Sequence, residues 1–143
     1  MRDRSIDEFM TRSPCCIDAD QRIIDAYRLM RETGCRHLPV LKDGKVVGIV
    51  SERGLYRLAI LIDVARAGDP VFDAMDPVYA VAPGTPLLQV AAEMAERKAG
   101  AAVIAKDGEV LGIFTTNDAL DALVFLDSTL LTRPNGEVAL FPG

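Results

Sequence analysis

Tryptophan is absent from the chain, and histidine occurs once, at position 37. A single imidazole leaves no histidine pair for a zinc centre and no partner for a hydrolytic relay. Cysteine is scarce: three residues, of which Cys15 and Cys16 are adjacent. That is too few, and too poorly spaced, for a disulfide framework, so Cys15, Cys16 and Cys35 are read as reduced, partly buried thiols of a cytoplasmic protein. No apolar run approaches the roughly 18 residues of a membrane span. Met1-Arg2-Asp3-Arg4 leads into no apolar stretch that would make a signal peptide. Basic charge is also short. Residues 1–70 carry 12 Lys and Arg against 11 Asp and Glu, residues 71–143 carry 4 against 10, and the net charge is -5. Without a basic stripe, nucleic acid is not an expected partner, because its binding is dominated by phosphate neutralisation. There is no P-loop, no glycine-rich dinucleotide fingerprint and no nucleophile–base pair, so nothing points to an enzyme.

What the chain does have is a repeat. Lys42-Asp43-Gly44-Lys45-Val46-Val47-Gly48-Ile49 returns 64 residues later as Lys106-Asp107-Gly108-Glu109-Val110-Leu111-Gly112-Ile113. The same offset places Ile17 on Val81, Ile23 on Leu87, Met30 on Met94 and Ser51 on Thr115. Upstream the register slips slightly, with Met10 matching Met75 and Pro14 matching Pro77. Units of about 55–60 residues rarely bury an adequate core alone, so the two halves are expected to pack on each other.

Each unit is predicted to run strand, helix, strand, strand, helix. Residues 15–17 and 78–82 are the short extended segments. The first helix has Asp20 as expected N-cap, apolar Ile23, Ile24, Tyr27 and Met30, and Gly34 as its stop. Its repeat has Thr85 as expected N-cap, Pro86 at the first helical position, a stripe of Leu87, Leu88, Ala91, Met94 and Ala95, and Gly100 as its stop. Asp-Gly between apolar runs predicts a tight hairpin over 38–50 and again over 102–114. A closing helix is expected over 54–66, with Leu55, Leu58, Ile62 and Ala65 on one face, and over 117–131, with Leu120, Leu123, Val124 and Leu130. The fold class is therefore α+β, two pseudo-symmetric β-α-β-β-α units packed sheet to sheet. The units are placed at 1–70 (with N-terminal segment and linker) and 71–131, followed by a tail at 132–143.

The duplicated unit resembles the cystathionine-β-synthase (CBS) domain, over residues 9–131. The most specific motif is Gly-hydrophobic-x-Thr/Ser-x-x-Asp at the junction of the last strand and the closing helix. It is complete in Gly112-Ile113-Phe114-Thr115-Thr116-Asn117-Asp118, whereas Gly48-Ile49-Val50-Ser51-Glu52-Arg53-Gly54 ends in glycine. The resemblance implies a free-standing regulatory pair, a Bateman module, that binds an adenosine-containing nucleotide (AMP, ADP, ATP, NAD or S-adenosylmethionine) with no obligatory cofactor. It implies signalling to an unknown regulated protein in trans and a homodimer joined through its helices. The alternative is a purely structural dimerisation module, which the loss of acidic side chain at Gly54 favours.

A helix N-terminus with free N–H groups favours phosphate, and Thr115 and Thr116 add hydroxyls there. The Asp118 carboxylate can accept from two vicinal hydroxyls, as on a ribose. The resemblance assigns Asp118 to ribose and Thr115 to phosphate. It brings main-chain groups of Val78, Tyr79 and Ala80 to the adenine edge and lays the ring against Val103. Thr115 and Asp118 are equally spaced as a helix capping box, and both roles can hold. Ser51 and Arg53 are candidate phosphate ligands from the first unit, Arg53 because a guanidinium fits phosphate bidentately, and His37 is a further candidate contact. The missing acceptor at Gly54 leads to the expectation of one main nucleotide per chain, its ribose on Asp118 and its phosphates reaching Ser51 and Arg53.

Overall fold

The structure, a computed structural model, describes residues 4–61 and 64–130, and of residues 58–61, 64–65 and 128–130 only the backbone path. The side chains of Leu58, Ile60, Leu61, Ala65 and Leu130, all of Ile62, and the tail at 132–143 lie outside what is described.

In chain order the elements are β1 (Thr11–Arg12), β2 (Ile17–Asp18), α1 (Ile23–Thr33), β3 (His37–Lys42), β4 (Lys45–Ser51), α2 (Glu52–Leu61), β5 (Ala80–Val81), α3 (Leu87–Arg97), β6 (Ala101–Lys106), β7 (Glu109–Thr115) and α4 (Thr116–Leu130). Short 3-10 turns at Ile6–Glu8, Val64–Gly68 and Val71–Asp73 link them. One sheet has the order β2-β3-β4 and the other β1-β7-β6-β5. The two Asp-Gly turns behave as expected: φ is 53° and 77° at Asp43 and Gly44, and 53° and 81° at Asp107 and Gly108. Positive φ at both central residues matches the right-handed twist of the flanking strands. Each hairpin also carries one register shift, between Val40 and Leu41 and between Ile104 and Ala105, at equivalent places in the repeat.

Side chains alternate across each sheet. Leu38, Val40 and Val50 face α1 and α2, and Ala102, Ile104 and Phe114 face α3 and α4. Ala101, Val103 and Ile113 are buried yet belong to neither helix-side cluster, and by alternation they face the other sheet. The sheets meet across β4 and β7, where the Val46 N–H donates to the Gly108 carbonyl at 2.9 Å. The sheet-to-sheet pair expected from the repeat is thus the observed fold.

The cores are completed by exchange. The segment ahead of the first unit packs on the second: Ile6 is fully buried among Tyr79, Leu87, Val90 and Phe114, and β1 pairs antiparallel with β7. The segment between the units packs back on the first: Val71 is fully buried among Ile17, Ala26, Leu38 and Leu55, and Asp76 bridges to Ile49. The main-chain bonds are equivalent on the two sides. Ile23 N–H donates to Asp69 O at 2.9 Å and Leu87 N–H to Arg4 O at 2.7 Å. Val71 N–H donates to Gln21 O at 2.6 Å and Ile6 N–H to Thr85 O at 2.8 Å.

This exchange explains where the expected caps differ. The first N–H of α1 and of α3 is satisfied by an incoming carbonyl, so neither helix needs Asp20 or Thr85. The N-cap positions are Arg22 and Pro86, and Thr85 Oγ1 instead donates to Ala82 O at 2.6 Å. Gly34 does end α1 in the left-handed conformation, but α3 ends at Lys98, with φ 55°, before Gly100 is reached. The core stripe of α3 is Leu87, Val90 and Met94, with Leu88 exposed. In α4 the inward residues are Ala119, Ala122 and Leu126, while Leu120, Leu123 and Val124 are exposed. Both helices are apolar on more than one face, so spacing alone could not select the buried one. No helix among the described residues is long and apolar enough to cross a membrane.

Ile6→Ala should cost about 2–5 kcal/mol of stability, the range for a large-to-small change in a core, and so lower the urea midpoint. If the segment were a dispensable tail, the midpoint would not move.

Candidate functional site

Both strand-to-helix junctions lie at one end of the module. His37 pairs with Ser51 across the first hairpin, and Ala101 pairs with Thr115 across the second. His37 also touches the second unit: a Cβ on Gly100 would come within 2.9 Å of His37 Nε2. The Gly100 carbonyl accepts from Thr116 N–H at 3.0 Å and from Thr116 Oγ1 at 3.2 Å. A continuous path of contacts therefore runs from Ser51 through His37 and Gly100 to Thr116. Gly100, read from sequence as a helix stop, instead makes room for the imidazole. Burial, aided by the positive charge of Arg36 and opposed by Glu52, holds His37 below the ordinary imidazole range.

At the second junction, Thr115 and Asp118 cap each other. Asp118 Oδ2 accepts from Thr115 N–H at 2.9 Å and from Thr115 Oγ1 at 3.1 Å, and Asp118 N–H donates to Thr115 Oγ1 at 3.2 Å. The capping reading thus holds. It leaves the other carboxylate oxygen lightly engaged: among the described residues Oδ1 accepts only from Thr11 Oγ1 at 3.4 Å. Thr11 arrives on β1, and sequence reasoning missed it because it lies 107 residues from Asp118. Asp118 also borders a depression of about 460 Å³ against the N-terminal segment, with Arg4, Phe9 and Asp121 along it.

At the first junction, Ser51 Oγ accepts from Gly54 N–H at 3.0 Å, the counterpart of the Thr115–Asp118 amide bond. Arg53 is exposed and makes no side-chain bond among the described residues. Beside β5, the Val78 main chain has no backbone partner among the described residues, while Tyr79 O is taken by Val103 N–H at 2.8 Å. Ala80 is exposed. The Tyr79 side chain belongs to the core: its hydroxyl donates to Glu93 and its ring lies 4.4 Å below the Arg97 guanidinium. Burial and the Glu93 carboxylate push Tyr79 up to about 12. Val103 is fully buried between the sheets and offers no exposed face for a ring. The exposed apolar surface at that point is its strand partner Ala80.

Cys15, Cys16 and Cys35 are free and half-buried, and burial raises the first two thiols above their usual range. Among the described residues no cluster of His, Cys, Asp or Glu could hold a metal ion.

The sequence pattern of the CBS domain matches residues 6–60 and again 66–125. Among solved structures, a Vibrio cholerae protein assigned to acetoin utilization (AcuB) superposes with a TM-score of 0.80 at 27% identity, covering 88% of this chain and 96% of its own. CBSX2 in complex with AMP superposes with a TM-score of 0.73 at 27% identity, covering 85% and 97%. An uncharacterized 17.7 kDa protein of Acidianus ambivalens is 35% identical over 69 residues, a stretch that spans 48% of this chain and 42% of that relative.

An imidazole that resists protonation when folded but titrates near 6.5 when unfolded adds stability above that pH. The contribution is lost as the pH falls toward the folded value. The urea midpoint should therefore drop between pH 7.5 and 5.5, and His37→Gln should shrink that drop; an unchanged pH dependence in the variant would remove His37 as its source.

Proposed function

Since the chain belongs to the CBS domain family and carries the domain twice, we propose that it is a non-catalytic regulatory module that binds an adenosine-containing nucleotide and signals to a partner protein in trans. The observation that carries this reading is the Asp118 carboxylate at the start of α4, fixed through Oδ2 by Thr115 and engaged at Oδ1 by a long bond of 3.4 Å from Thr11 Oγ1. A carboxylate so positioned can accept ribose hydroxyls in exchange for the long Thr11 contact, and charge-assisted bonds of this kind are the strong ones. The Thr115 and Thr116 hydroxyls and the helix N-terminus suit phosphate. The main chain of Val78, without a backbone partner among the described residues and beside exposed Ala80, suits an adenine edge. His37 lies between the junctions, against Gly100 of the second unit, where it suits contact with a bound nucleotide. A related structure that contains AMP makes AMP the first compound to test.

Asp118→Ala should weaken AMP binding by about 10- to 150-fold, the equivalent of about 1.5–3 kcal/mol, as read by isothermal titration calorimetry. Asp118 also caps α4, so the melting temperature of the unliganded variant is the control. Asp118→Asn, which keeps an accepting oxygen for the cap, should bind weakly with less thermal loss. A parent protein whose melting temperature is not raised by AMP or any other adenosine compound would favour the purely structural module, because a ligand that binds only the folded chain must stabilise it.

The module also pairs with a second copy through α2 and α4. Supporting this are exposed Tyr56 at 48%, Leu120 at 57%, Leu123 at 62% and Val124 at 56%, a concentration of apolar surface suited to an interface. Light scattering should give the mass of a dimer, and Leu123→Glu should shift it toward the monomer.

A further inference from the structure

Gly54 occupies in the first unit the place that Asp118 holds in the second, 64 positions later. The backbone does not demand glycine there, since Gly54 is not among the residues with positive φ. What a side chain there would meet is close: the Ser51 hydroxyl would have to yield by a few tenths of an ångström, and the Asp76 carboxylate would be in ordinary contact. A Cβ on Gly54 would lie 3.1 Å from Ser51 Oγ and 3.7 Å from Asp76 Oδ2. The Asp76 carboxylate thus already stands beside the space that an aspartate at position 54 would fill.

Asp76 is held there by its main chain, which donates to Ile49 O at 2.8 Å and accepts from Ile49 N–H at 3.0 Å. In the second unit the corresponding partner of Ile113 is Thr11, and its hydroxyl reaches the Asp118 carboxylate. Each junction therefore has the same two positions, one at the start of the closing helix and one on the segment exchanged from elsewhere in the chain. In the second unit they are aspartate and threonine; in the first they are glycine and aspartate. The carboxylate has moved from the helix to the incoming segment. An aspartate at both places would set two carboxylates against each other, which disfavours ionisation of both, so Gly54 and Asp76 are chemically matched. Asp76 is exposed, and among the described residues its carboxylate accepts no hydrogen bond.

We propose that Asp76 supplies the ribose-hydroxyl acceptor that the first motif lacks, giving the chain a second adenosine site with Ser51 and Arg53 at its phosphate end. This rests on the nucleotide-binding reading of the module. It replaces the expectation of one nucleotide per chain, whose premise was that the first junction has no carboxylate.

Calorimetric titration of the full chain with AMP tests it. Two AMP per chain are expected. Asp76→Ala should abolish or weaken one of them by about 10- to 150-fold and leave the site that depends on Asp118; Asp118→Ala should do the reverse. The main-chain bridge to Ile49 uses no side-chain atom of Asp76, so Asp76→Ala should keep it, and thermal unfolding checks it. The double exchange Gly54→Asp with Asp76→Thr, which copies the second junction onto the first, should keep both sites. Binding of a single AMP that is sensitive to Asp118→Ala and indifferent to Asp76→Ala would overturn the role of Asp76 while leaving the module a nucleotide binder. Two sites that both survive Asp76→Ala would overturn it as well. No binding of AMP by the parent would overturn both readings together.

Discussion

The structure depends on one reciprocal exchange: each half lends the other a short segment that the other cannot do without. A helix that starts at Ile23 or Leu87 has an N–H group with no partner inside the helix. Here the carbonyls of Asp69 and Arg4 supply one. The same segments drop Val71 and Ile6 into the two cores, each with no remaining exposure. A unit of this size is marginal alone, and after the exchange neither half has a complete core without the other's chain. The two-unit module is therefore the folding unit, and the hydrogen bond from Val46 to Gly108 joins sheets that are already coupled at their edges.

The exchange also builds the junctions. β1 and the Asp76 bridge lie along β7 and β4, and they deliver Thr11 and Asp76 to the two helix starts. Methionines travel with them. Met10 lies over Gly112 and Met75 over Gly48, so close that a Cβ on either glycine would collide with the thioether. This is why the motif opens with glycine in both units: the incoming chain crosses there. A side chain would push the segment away and carry the junction's second polar residue with it.

Between the junctions the coupling is tighter than that of two independent domains. His37 belongs to the first hairpin and yet rests against Gly100 of the second unit. Gly100 in turn holds the first residue of α4 through its carbonyl. A ligand that shifts the start of α4 has a short mechanical route to His37 and Ser51, and so to the first junction. Such a route would let a change at one junction be felt at the other.

Much of this was legible in the amino-acid sequence because it is local. The Asp-Gly turns with both residues at positive φ, the strand–helix order and the Thr115–Asp118 capping pair all follow from neighbours within a few positions, and the 64-residue repeat shows when those local patterns are laid over each other. What only the tertiary structure decided is non-local. Asp20 and Thr85 look like caps until a carbonyl from a distant segment takes the role. Leu120, Leu123 and Val124 form as good an apolar stripe as Ala119, Ala122 and Leu126 until packing on the sheet selects the second set. Gly100 reads as a helix stop until an imidazole from the other half is seen to need its space. The one-residue slip that sets Met10 on Met75 marks the exchanged segments in the sequence. That they cross to the opposite unit, bringing Thr11 to Asp118 and Asp76 to Gly54, is a matter of pairing partners more than twenty residues away, and only the folded chain brings those partners together.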